Sequence, residues 1–182
     1  MNIKEYPPSQ IRNIAIVGHN GTGKTSLTEA LLYLSGATNR FGKVDDGTTV
    51  SDYDPDEIKR KISINATLVT CEWKKCKINI IDTPGYADFI GEVKGSLRVV
   101  DGVVVTINAT AGVEVETEKV WGYAEEYKIP RAIFVNKMDK ERADFEAAVA
   151  SVSKAFNVRA VPVEIPIGKE AGFKGVVDLF HR

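Results

Sequence analysis

Gly18-His19-Asn20-Gly21-Thr22-Gly23-Lys24-Thr25 stands between an apolar run, 11–17, and a stretch, 24–34, whose apolar residues recur at three- and four-residue steps. The run reads as a buried strand and the stretch as a helix, so the octapeptide is a glycine-rich strand-to-helix loop. It fits G-x-x-x-x-G-K-[ST] in the context that motif requires. Glycines let such a loop wrap until successive backbone N–H groups point inward, and the helix N-terminus adds a positive dipole end. Asn20, Gly21, Thr22, Gly23, Lys24, Thr25 and Ser26 form the expected phosphate cradle. Lys24 would reach the outer phosphates as a point charge, and the Thr25 hydroxyl is available to Mg²⁺.

Outward from this loop, apolar runs that fit buried strands return at 78–81, 103–107 and 131–135, and helical periodicity fills 87–100, 113–127 and 141–156. Strands alternating with helices imply a mostly parallel sheet covered on both faces. Residues 62–73 break the rhythm. There Ile62, Ile64, Ala66 and Leu68 alternate with Ser63, Asn65 and Thr67, and Lys74-Lys75 turns the chain into the next strand. That pattern predicts a hairpin adding one antiparallel edge strand. The polar segment 35–61 is longer than an ordinary connection, of the kind used for lids and switches, and is expected to be unordered without its ligand. From Val161 onward two prolines and three glycines interrupt the pattern, as at the start of a further subdomain.

A chain of 182 residues with 43% hydrophobic and 27% charged side chains can bury one core of ordinary size. Its net charge of −1 and pI near 6.2 lack the basic footprint of a protein that holds nucleic acid by electrostatics alone. The opening MNIKEYPPSQ carries no apolar signal region, and no apolar run is long enough to span a bilayer, so a cytoplasmic setting is expected. Cys71 and Cys76, with only His19 and His181 to assist them, are too few for a disulfide framework or a zinc site and read as reduced thiols.

Two further strand ends carry chemistry. Asp82 closes the run 78–81, where a carboxylate could hold a metal through water, and Pro84-Gly85 supplies a bend and an N–H able to approach a γ-phosphate. Asn136-Lys137-Met138-Asp139 follows the run 131–135. Asp139 can accept from both N1–H and the exocyclic amine of guanine, whereas adenine offers no such donor pair, and Asn136 and the Lys137 stem would brace the loop and cover the base. An ATP-using kinase built on the first motif would not need these four residues.

In this order the three elements resemble the signatures of a GTPase. The resemblance extends to Gly47-Thr48-Thr49-Val50-Ser51-Asp52-Tyr53-Asp54-Pro55-Asp56-Glu57-Ile58-Lys59-Arg60-Lys61-Ile62-Ser63-Ile64, which looks like the switch I segment of the elongation factor G family without a gap. Asp101-Gly102, Ala111-Gly112-Val113-Glu114, Thr117-Glu118-Lys119-Val120-Trp121 and Pro130-Arg131 are similar too. From about residue 13 to 180 the chain resembles that family's nucleotide domain.

The resemblance implies an α/β fold of the P-loop NTPase kind: three layers, a mostly parallel sheet with one antiparallel edge strand, and helices on both faces. It implies a GTP-binding domain over 1–160 and the start of an inserted subdomain over 161–182. It also implies binding of GTP or GDP with Mg²⁺ and hydrolysis on the large ribosomal subunit in translocation, the isolated chain being monomeric. Thr25, Ser63 and Asp82 would serve the metal, Ser63 standing where the family has a threonine. Lys24, Gly85 and Tyr86 would serve catalysis.

Several positions depart from the family. Tyr86 replaces the histidine usual after Asp-Thr-Pro-Gly. A phenol can still donate and accept, but unlike an imidazole it has no basic nitrogen to protonate and does not become a cation near neutral pH. Water positioning and mere packing both remain open for it, and a guanine-nucleotide-dependent binding switch with poor hydrolysis is the alternative reading. Gly21 replaces an aspartate that could help hold a monovalent cation. No Ser-Ala-[Lys/Leu] signature follows, so the last base-contacting loop is expected to be missing, a sheet edge uncovered and base binding weakened. Unassisted turnover is expected to be slow, on the order of 10⁻⁴ per second.

Overall fold

Strand β1 (Ile11–Gly18) sends Ala15 and Val17 to one side and Ile14 and Ile16 to the other, and both sides are packed. In the computed structural model, which describes residues 4–180 so that His181 lies outside, β1 is the centre of a five-stranded sheet. The order is β2-β3-β1-β4-β5, with β2 (Thr67–Trp73), β3 (Cys76–Asp82), β4 (Gly102–Asn108) and β5 (Arg131–Asn136). All neighbouring pairs are parallel except the β2–β3 hairpin. Its turn residues Lys74 and Lys75 have φ of 46° and 69°, the left-handed pair a two-residue hairpin loop demands. Cys71 and Cys76 are free thiols on this hairpin.

Helix α1 (Lys24–Leu34) covers one face through Leu32 against Ile16, Ile80, Val69 and Cys71. On the other, α3 (Ile90–Leu97) and α4 (Val115–Glu126) bury Val93, Leu97, Val120, Trp121 and Ala124 against Ala15, Val17, Val103 and Val105. Helix α5 (Phe145–Phe156) adds Ala148 and Val152 against Ile107. The chain leaves β1 for β3 on one side and returns from β3 to β4 on the other, so the sheet reverses at β1. In open α/β sheets ligands bind outside the carboxyl ends of the strands at such a point.

Several boundaries differ from those the sequence suggests. The third helix is preceded by a 3₁₀ turn, Ala87–Phe89, and α5 begins at Phe145 because the Asp144 carboxylate accepts from Ala147 N at 2.8 Å and caps it there. Strand β2 begins at Thr67 rather than Ile62, because Ile64, Asn65 and Ala66 give their N–H groups to the Glu57 and Glu92 carboxylates instead of a ladder. The segment 35–61, expected to be unordered, takes a set path. It contains helix α2 (Pro55–Arg60), started by a capping box in which Asp54 and Glu57 satisfy each other's backbone N–H groups. Beyond α5, β6 (Glu164–Ile167) and β7 (Gly175–Asp178) pair as a separate antiparallel sheet. Glu170 ties this hairpin back, its N–H donating to Met138 O and its carboxylate accepting from Arg142 N. β5 therefore stands at the edge of the main sheet, beside a groove of about 710 Å³ that residues of 158–176 also line.

The helical face is locked by one aromatic stack. Trp121 lies flat on Phe156 with centroids 4.1 Å apart, and the Arg131 guanidinium sits 4.4 Å above Trp121. Trp121→Ala should lower the unfolding free energy by about 3–5 kcal/mol, as for other buried aromatic truncations, read from urea denaturation followed by circular dichroism.

Candidate functional site

The loop after β1 is wrapped as its glycines permit, with φ of 72° at Gly21 and 90° at Gly23. A Cβ at Gly23 would run into the Asn136 amide, so this glycine is what lets the two loops meet. Thr22 is fully buried. Its hydroxyl shares a 2.7 Å hydrogen bond with Thr106 of β4, which in turn donates to Val17 O at 3.1 Å. The Lys24 ammonium is buried and donates to Gly18 O at 3.1 Å and His19 O at 2.9 Å. His19 lies between two carboxylates of the following layer, Nε2 being 3.5 Å from Glu114 and Nδ1 closest to Glu116. Asn20 abuts the segment after β3, because a Cβ at Gly85 would lie 2.8 Å from its Cα. Ser26 is exposed on the first turn of α1.

Beside Lys24 the polar side chains converge. Thr25 Oγ1 and Ser63 Oγ are 3.0 Å apart, although 38 residues separate them in sequence. Ser51, itself buried, donates to Asp82 Oδ2 at 2.8 Å. The remaining oxygen of Asp82 and Oδ2 of Asp52 are both buried without a hydrogen-bond partner. Two bare carboxylate oxygens close to two hydroxyls form a hard, all-oxygen donor set, and Mg²⁺ is bound by one or two carboxylates plus water and phosphate oxygens. The residues present therefore fit that ion. No group of three or more His, Cys, Asp or Glu side chains suited to a metal occurs among the described residues.

Burial dominates the electrostatics. It lowers the Lys24 ammonium to about 8, against the opposing pull of Asp82 and Asp52. It raises Asp82 to about 6, an effect that the Ser51 and Thr25 hydroxyls and Lys24 reduce and that Asp52 reinforces. Asp52 is raised as well, chiefly by burial.

At the end of β5 the Asn136 amide donates to Thr22 O at 2.8 Å and its Oδ1 accepts from Lys137 N at 2.8 Å. Lys137, with φ of 63°, sends its ammonium to Gly21 O at 2.6 Å. These bonds bring the candidate base loop and the phosphate loop together. Asp139 stands apart from them, 62% exposed, with Lys140 Nζ 3.4 Å away. Tyr86 begins the 3₁₀ turn after β3 and is 37% exposed. Sequence reasoning assigns no role to Ser51, Asp52 or Thr106; the first two sit in a polar segment where nothing local separates a buried acid from a solvated one.

Fold and strand-end geometry together define an α/β P-loop nucleotide-binding fold. The profile of the family described as "Elongation factor Tu GTP binding domain" matches residues 9–178. The chain is 50% identical over 177 residues to elongation factor G 2 of Streptomyces coelicolor, which covers 97% of this chain and 26% of that protein. It is 48% identical over 173 residues to elongation factor G of Fervidobacterium nodosum, covering 95% and 25% respectively. A crystal structure of a Thermus thermophilus protein superposes with a TM-score of 0.88 at 37% identity, over 95% of this chain and 26% of that one. The chain belongs to the elongation factor Tu GTP-binding domain family, and over its matched length it is similar to elongation factors G. It spans about a quarter of the length of the curated relatives it matches. No described helix is long and apolar enough to cross a membrane.

With Asp82 raised above an unfolded carboxylate, the folded state holds the extra proton between about pH 4 and 6. Stability therefore falls as pH rises through that window. In chelator-treated protein the melting temperature should be higher at pH 5 than at pH 7, and Asp82→Asn should flatten the difference. Added Mg²⁺ should raise the melting temperature more at pH 7 than at pH 5.

Proposed function

We propose that this chain is the GTP-binding and GTP-hydrolysing domain of a ribosome-associated translation elongation factor acting in translocation in the cytoplasm. What most supports the reading is the bracing of the phosphate loop by the candidate guanine loop, through Asn136 to Thr22 O and Lys137 to Gly21 O. A site joined in this way can read base and phosphates as one ligand. Residues 1–160 would be the nucleotide unit, and 161–182, which includes the separate β6–β7 sheet, the start of an inserted subdomain. The isolated chain is expected to be monomeric.

In the proposed cycle, N–H groups of Asn20 to Ser26 cradle the phosphates, and Lys24 supplies a positive charge at the outer ones. Asp139, exposed and held only by a surface ion pair with Lys140, would pair with guanine N1–H and N2–H. Thr25, Ser63 and Asp82 would hold Mg²⁺, which neutralises charge developing on the phosphate oxygens. Water attacks the γ-phosphorus, and the bond from that phosphorus to the bridging oxygen breaks, leaving GDP and phosphate. Gly85 N–H and the Tyr86 hydroxyl are the groups of this chain proposed to orient that water.

Calorimetric titration with Mg²⁺ should show GDP binding and no competition from ADP. Asp139→Asn should weaken GDP by at least about 100-fold. Equal binding of ADP would overturn the guanine assignment.

The exposure of Tyr86 favours a second reading, a guanine-nucleotide-dependent switch with poor hydrolysis, since a half-solvated phenol is a weak holder of water. In that case Tyr86→His should raise ribosome-stimulated hydrolysis by about ten-fold or more at unchanged GDP affinity. Rapid hydrolysis by the unmodified protein would dismiss it.

A further inference from the structure

Two carboxylates of the core have no part in the chemistry described so far. Glu29 on α1 and Glu57 on α2 are 0% and 1% exposed, yet neither makes an ion pair among the described residues. All their partners are backbone N–H groups of the polar segment that crosses the site. Glu29 Oε1 accepts from Val50 N at 2.6 Å and Oε2 from Gly42 N at 3.2 Å. Glu57 Oε1 accepts from both Ile64 N at 2.9 Å and Asn65 N at 3.0 Å, and its Oε2 from Asp54 N at 3.2 Å.

The peptides they grip flank the metal-side groups. Val50 directly precedes Ser51, which donates to Asp82, and Asp52 with its bare oxygen; Ile64 directly follows Ser63, whose hydroxyl meets Thr25. Gly42 is shaped to the same purpose, since a Cβ there would lie 2.8 Å from Thr48 O and Thr49 Cα and would displace the Glu29 carboxylate. A buried carboxylate is costly unless donors satisfy it, and backbone N–H groups satisfy it only while the segment lies in this one path. Glu29 thus ties the segment to α1, and Glu57, itself on α2, ties that helix to the 64–65 turn that follows it.

We infer that Glu29 and Glu57 are positioning residues, a two-point backbone clamp that sets Ser51, Asp52 and Ser63 over Thr25 and Asp82 and so determines how strongly metal and triphosphate are held together. The inference rests on the functional reading above. It separates the two nucleotides: diphosphate is held mainly by the wrapped loop and the base loop, whereas a terminal phosphate with its metal needs the crossing segment in place.

Glu57→Gln and Glu29→Gln keep side-chain volume while turning one acceptor oxygen into a donor that faces an N–H. Binding of a non-hydrolysable GTP analogue and of GDP would be titrated against Mg²⁺, beside amide hydrogen exchange of the unmodified protein. The clamp requires the Mg²⁺ concentration for half-maximal analogue binding to rise by about ten-fold or more in either variant, with GDP affinity changed by less than about two-fold. An equal loss for both nucleotides, the mark of a purely structural role, overturns it, as does no change in either. Exchange provides the measurement that survives if the variants fail to fold. Val50, Ile64 and Asn65 amides in the unmodified protein must be protected like those of β1, and exchange as fast as that of exposed loops overturns the clamp. Should the unmodified protein bind neither nucleotide, the functional reading fails while the exchange result still decides the clamp.

Discussion

Asp82 at the end of β3 and Lys24 at the start of α1 are both buried, and the surrounding structure is organised by what such charges need. Removing an ion from water costs several kcal/mol even after relaxation. Here burial outweighs the mutual attraction, since Lys24 is lowered and Asp82 raised despite each other. The carbonyls of Gly18 and His19 take the ammonium, and the Ser51 hydroxyl takes one carboxylate oxygen. The other oxygen has no hydrogen-bond partner, and neither does Oδ2 of Asp52. Buried oxygens without a partner are what the proposed Mg²⁺ would satisfy.

The sheet supplies the geometry for this arrangement. Because β1 is packed on both faces and the chain reverses direction about it, the ends of β1, β3 and β5 open on the same side. The Thr22–Thr106 hydroxyl bond and the Asn136–Thr22 bond then hold three strand ends in one register. The candidate base loop and the phosphate loop lie more than a hundred residues apart in sequence yet are joined by the Asn136–Thr22 and Lys137–Gly21 hydrogen bonds, so displacement of one is felt by the other.

What can be read in the sequence is local. The phosphate loop shows itself through a glycine pattern between a strand and a helix, and the alternation of strands and helices gives the layers. Asp82 and Asn136 are visible because strand ends announce them. Periodicity places the start of α5 too early, because 141–144 carry a helical pattern while the Asp144 side chain prefers to cap. Residues 62–66 alternate like a strand, but the N–H groups of 64–66 are taken by the Glu57 and Glu92 carboxylates. The path of 35–61 is illegible for the same reason, its order depending on Glu29, a residue that looks like any polar position on α1. Tyr86 is plain as a substitution, whereas its exposure follows only from how the 3₁₀ turn departs from β3.

The aromatic stack on the helical face has an optical meaning. The chain has two tryptophans. Trp121 is 7% exposed, flat against Phe156 and covered by a guanidinium, while Trp73 at the tip of the edge hairpin is 52% exposed. One indole thus sits in a dry, cation-capped environment and the other in water at the opposite edge of the sheet. Emission from the shielded indole is therefore expected at shorter wavelength than that from the solvated one, the first reporting on the docking of α4 and α5 and the second on the edge hairpin, so the molecule carries its own pair of internal dyes.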